Sequence, residues 1–143
     1  MYSAIALALV IIAVIIGVSW KKKKPSSDQK LQQIKENIAR IDPKVPEFNF
    51  YLDGEGSYIL GDRDIYMCIH DEDGNYYDDN FLTYVALHEL THGLIPQDTR
   101  THPPIFDSTF EEIKAKAIRL GIYDPTKPFP AVYCKKPISR YYD

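Results

Sequence analysis

The sequence predicts an α+β fold, a small sheet with helices packed on it over residues 25–143, preceded by one N-terminal transmembrane helix within residues 1–24. Three observations carry this prediction. An uncharged apolar stretch opens the chain, β-type runs crowd residues 48–70, and apolar residues recur at helical spacing in segments on either side of those runs.

Residues 4–18 are aliphatic or glycine throughout, and with Tyr2, Ser3, Ser19 and Trp20 the uncharged stretch reaches the roughly twenty residues that span a bilayer core as helix. Tyr2 and Trp20 stand at its ends, where amphipathic rings favour the headgroup level, and four lysines, Lys21 to Lys24, follow at once. A cleaved signal peptide would carry its positive charge before the apolar run, not after it. The lysines predict that the C-terminal side stays cytoplasmic, giving a single-pass membrane protein with residues 2–20 as its membrane partner. They would also attract anionic lipid.

Pro25, Ser26 and Ser27 read as a linker, with Ser26 or Ser27 able to cap a helix in which Leu31, Ile34, Ile38 and Ile41 share a face. Asp42-Pro43 and Val45-Pro46 end that helix, because proline disfavours helical backbone in the residue before it. Strands are expected over 48–52, 57–60 and 65–70, punctuated by Gly54, Gly56 and Gly61, and residues 71–75 form an acidic turn. Asp78 and Asp79 then favour the positive end of a helix over 81–94, with Asn80 a candidate cap. A polar loop over 96–104 leads to a helix near 107–120 with an apolar stripe of Phe110, Ile113, Ala117 and Leu120, stopped by Gly121. The remainder, 122–143, has four prolines and little periodicity.

The formal charge of −3 and pI near 5.8 predict no broad nucleic-acid-binding surface. Eleven tyrosines and the aliphatic content are enough for a core of limited depth. Two cysteines, Cys68 and Cys134, are too few for a disulfide-stapled scaffold or a zinc ribbon, and read as reduced, partly buried thiols.

The chemistry concentrates in His88-Glu89-Leu90-Thr91-His92. Residues four apart on a helix lie one above the other, so His88 and His92 can offer two imidazoles to one metal ion, with Glu89 beside them. Zinc held by three protein ligands acidifies its water, and a carboxylate on the same helix can take the proton as that water attacks a carbonyl. Leu82, Ala86, Leu90 and Leu94 form a separate, core-facing stripe. The third ligand is open between His102, which follows His92 after nine intervening residues, and Glu111 or Glu112 on the next helix. Asp107 or one of these acids would orient a histidine. Tyr133 is a candidate donor to a developing oxyanion, set against a tyrosine that merely packs.

The segment 65–70, the turn at Asp73-Gly74, the run 84–92, His102-Pro103-Pro104-Ile105-Phe106, Gly121-Ile122-Tyr123 and a late Pro-x-x-Tyr-Cys at 130–134 together resemble minimal metallopeptidases of the WLM and SprT-like type. They are most similar to small membrane-anchored WLM-like proteins encoded by large DNA viruses. The resemblance covers residues 50–137. It implies a zincin-like metallopeptidase domain with Zn2+ as cofactor, His88, His92 and His102 as metal ligands, and Glu89 as catalytic base. It further implies a protein or peptide substrate lying along an edge strand, here 65–70, and a host or virion membrane as location. The same residues are compatible with a catalytically inactive, membrane-tethered zinc-binding interaction protein, or with a virion membrane protein.

Overall fold

The computed structural model describes residues 23–95 and 102–139. The first helix, α1 (Gln29–Ala39), is capped by Asp28, whose carboxylate accepts the Leu31 N–H at 3.1 Å. Ser26 instead accepts the N–H of Asp28 itself, so the cap lies one residue beyond the expected serines. Leu31, Ile34 and Ile38 form the buried face of α1, as their spacing predicts. A 3-10 turn, Val45–Glu47, follows the prolines.

Three strands come next: β1 (Asn49–Leu52), β2 (Tyr58–Leu60) and β3 (Asp64–Met67). Their spatial order is β1-β3-β2, with β3 parallel to β1 and antiparallel to β2. Side chains alternate across the pleat. Phe50, Ile65 and Ile59, in register, face the core. Tyr51, Tyr66 and Tyr58, one residue out of phase, stack ring on ring at 4.7 and 4.9 Å on the other face. The strand expected over 65–70 is therefore the central strand and stops at Met67, and β2 and β1 are the sheet's outer members. The linker before α1 runs along β1, where Ser26 N–H donates to the Phe50 carbonyl at 2.8 Å.

The acidic turn forms as expected: the Asp71 carboxylate accepts the N–H groups of Asp73 and Asn75, and His70 bridges to Tyr76. The helix α2 (Asp79–Leu94) then crosses the core, followed by α3 (Pro104–Arg119), which packs against it. Phe106 replaces Leu120 in the expected α3 stripe, because the helix starts at Pro104 and Leu120 is left 37% exposed. Gly121, at φ +69°, ends α3.

The C-terminal stretch has more structure than its composition suggests. A short hairpin pairs β4 (Val132–Tyr133) with β5 (Lys136–Pro137) through Cys134 and Lys135, both in the left-handed region. Cys134 forms a disulfide with Cys68, 66 residues away, so the two cysteines are not the reduced thiols expected from their number. Both are buried. Tyr133 is fully buried; its hydroxyl donates to the Cys68 carbonyl at 2.7 Å and is paired with Ser57. A hydroxyl so placed serves the core, which removes Tyr133 as an oxyanion donor.

The transmembrane helix expected over residues 2–20 lies outside the described residues, and among the described residues no helix is long and apolar enough to cross a membrane. The helices have 11, 16 and 16 residues, short of the roughly twenty that a bilayer core requires. The expectation is corrected accordingly. The fold of the described residues is a small α+β domain without a membrane-spanning helix, and the single-pass placement with a cytoplasmic C-terminal domain is not supported.

Candidate metal centre

The helix that carries the histidines is capped by Asp78, whose carboxylate accepts the N–H groups of Asn80 and Phe81. Asn80, expected as the cap, is instead a clamp. Its side-chain amide donates to the Asp124 carbonyl at 2.9 Å and accepts the Asp124 N–H at 2.7 Å, tying the segment after α3 to the start of α2. At the other end, Gly93 lets the chain pass close. A Cβ there would meet the Phe48 ring and stand 2.8 Å from the Asp62 carbonyl oxygen.

Nearly every residue from Asn80 to His92 is buried, so α2 has no wet face in this stretch. His88, Glu89 and His92 are 6, 5 and 5% exposed. The expectation that the histidines stand on a surface apart from the packed one is thus corrected: α3 lies over it, with Phe106 and Phe110 against the imidazoles.

His102, the residue before Pro103-Pro104 at the start of α3, returns to the helix pair. The ligand atoms of His88, His92 and His102 lie within 4.8 Å of one another, and the Nε2 atoms of His92 and His102 are 3.2 Å apart. Two nitrogens bound tetrahedrally to one ion at about 2.0–2.1 Å stand about 3.3 Å apart, so the observed spacing suits a shared ion. The three histidines can therefore hold a metal ion. Imidazole donors fit zinc, copper, iron or nickel. Of the rivals for third ligand, Glu111 is exposed and paired with Lys114 at 2.7 Å, and Glu112 and Asp107 are exposed. None joins the cluster.

Electrostatics favour lone pairs in this cluster. Burial, and then the neighbouring histidines, push the His88 imidazole down to about 3; burial and His102 push His92 down to about 4. Both rings are neutral near neutral pH and available as donors to a metal. Burial pushes the Glu89 carboxyl the other way, up to about 8.

Two participants escape a motif reading. Phe106 contacts all three imidazoles, and Phe110 contacts His88. The available signal is spacing: Phe106 is four residues after His102, and Phe110 four after that. His92 Nδ1 is, among the described residues, the buried side-chain nitrogen or oxygen without a hydrogen-bond partner.

No family model matches the chain, and no solved structure matches it. It is 41% identical over 85 residues to uncharacterized protein 136R of invertebrate iridescent virus 6, covering 57% of this chain and 47% of that protein. It is 38% identical over 84 residues to uncharacterized protein 042R of invertebrate iridescent virus 3, covering 58% of this chain and 52% of that one. The chain thus spans about half the length of these curated relatives.

Proposed function

We propose that the chain is a zinc-dependent peptidase of the WLM-like type, with His88, His92 and His102 as the metal ligands and Glu89 as the general base. The observation that carries this reading is the convergence of three imidazoles, two of them on the same helix as a buried glutamate. A zinc ion held there would supply a Lewis acid for a carbonyl and a positive charge drawing Glu89 toward its ionised form.

The chain's own residues divide the work. His88 and His92 are fixed relative to one another by helix spacing, and His102 closes the set from a second element. Glu89 adjoins His88 in a nearly dry setting, where an ionised carboxylate takes a proton from water and returns it to a leaving amine. The Phe106 and Phe110 rings wall the cluster on the α3 side, against the buried His88.

Metal content and hydrolysis of a quenched-fluorescence peptide library by the full chain test the proposal. Wild type should bind zinc and cleave. Glu89→Gln should retain the metal and lose about 10²–10⁴-fold in rate, as removal of a general base does. A Glu89→Gln chain that cleaves as fast as wild type would remove Glu89 from the role of base.

A further inference from the structure

Metal-binding histidines are ordinarily aimed by a hydrogen bond at the ring nitrogen that does not face the metal, usually to a carboxylate or a backbone carbonyl. That device is missing for His92, whose Nδ1 is buried with no partner among the described residues. The carboxylates of α3 do not provide it, since Asp107, Glu111 and Glu112 are all exposed. Something else must set the direction of the His92 imidazole.

We infer that Phe106 is the positioning residue of the metal centre, its ring serving as the common surface that orients His92 and His102. The Phe106 ring is stacked on His102 at 4.2 Å between centroids and 7° between planes. It also lies 4.5 Å from His92 at 37° and 5.0 Å from His88 at 62°.

Phe106 is 2% exposed, so the core fixes its ring, whereas His102 is exposed and follows residues outside the described set. His102 therefore gains its direction from the buried partner rather than lending it. Contact through the ring face leaves both imidazole nitrogens unconsumed, and the Nε2 of His102 ends 3.2 Å from that of His92. The chain makes this arrangement locally: Pro103 and Pro104 restrict the backbone between His102 and the helix, and Phe106 sits in the first turn of α3. An imidazole bound to a cation is electron-poor, so it attracts the electron-rich face of a phenyl ring more strongly. Stacking and metal binding then reinforce one another.

This inference rests on the metal-site reading, and the experiment separates the two. Zinc affinity and the visible spectrum of the Co2+-loaded full chain are measured for wild type, Phe106→Leu, Phe106→Tyr and Ile113→Ala. Ile113 is buried on the same helix, about two turns beyond Phe106, so its variant reports on loss of helix packing. Phe106→Leu should bind zinc roughly tenfold or more weakly, the usual scale for losing an outer partner of a ligand. Its Co2+ spectrum should change in shape. Phe106→Tyr, which keeps the ring, should restore both, and Ile113→Ala should leave both near wild type despite its lower stability.

Should wild type bind neither ion, the metal-site reading fails. Should wild type bind while Phe106→Leu binds equally well with an unchanged spectrum, Phe106 has no positioning role. If Phe106→Leu does not fold, Phe106→Tyr decides: weak binding by a folded chain that retains the ring would overturn the inference.

Discussion

Burial moves the titration of Glu89 and of the two α2 histidines in opposite directions, and each consequence is measurable. Burial makes the folded chain hold the Glu89 proton up to about pH 8, against an ordinary value of 4.5. Between those values it binds more protons than the unfolded chain, so this contribution to stability is lost as pH rises through the window, by at most about 1.4 kcal/mol per pH unit. His88 and His92 behave in reverse. Their folded values of about 3 and 4 lie below 6.5, so their contribution is present above 6.5 and lost as pH falls. Above pH 6.5 only the Glu89 slope remains of the three. The denaturation midpoint of the metal-free full chain should therefore fall from pH 6.5 to 8, and Glu89→Gln should flatten that fall. A wild-type midpoint as flat as the variant's would contradict the burial account. The pairing of His88 with His92 was legible from helix spacing, whereas the third member stayed open among His102, Glu111 and Glu112 until the fold brought His102 to the pair. The burial of the pair was not legible, because whether a helix face is wet depends on what α3 does, not on the face itself.

Among the elements, α2 is the one on which the others converge, and its two ends show why it sits where it does. Asn80 makes two hydrogen bonds to the Asp124 backbone. Replacing it with alanine removes both of these part-buried hydrogen bonds, at a cost of about 1–3 kcal/mol for the two, which chemical denaturation would register. At the far end, Gly93→Ala would drive a methyl into Phe48 and the Asp62 carbonyl and should destabilise by about 1–3 kcal/mol. Equal stability for that variant would mean the loop before β3 yields freely. Helix spans were readable to within a few residues, from apolar spacing and acidic starts. Roles within them were not: Asp28 and Asp78 outcompeted the neighbouring candidates as caps, and Asn80 turned to a partner 44 residues away. Strand order was hidden for a related reason. The run at 64–67 reads the same as centre or edge, and only the parallel return beside β1 makes it central.

The molecule as a whole is closed by its C-terminal stretch, which carries the hairpin, the buried Tyr133 and the disulfide. Linking residues 66 apart restricts the unfolded chain by about 4 kcal/mol on chain-entropy grounds. Reduction, or Cys68→Ala with Cys134→Ala, should lower the denaturation midpoint while leaving the histidine cluster assembled, because neither cysteine touches it. A prolyl stretch without periodicity gives no sign of this closure, and two cysteines at such a separation do not announce a pair. The α+β class was readable because strand and helix periods differ, and the correction to the membrane helix rests on the absence, among the described residues, of a helix long and apolar enough to span. At this scale the central proposal is that the three clustered imidazoles bind one metal ion. Zinc content per chain by inductively coupled plasma mass spectrometry tests it most directly, on the full-length wild type and on His88→Ala, His92→Ala and His102→Ala purified identically. The account predicts one zinc per wild-type chain and its loss from each variant; a wild-type chain without zinc, or variants that keep it, would contradict the account.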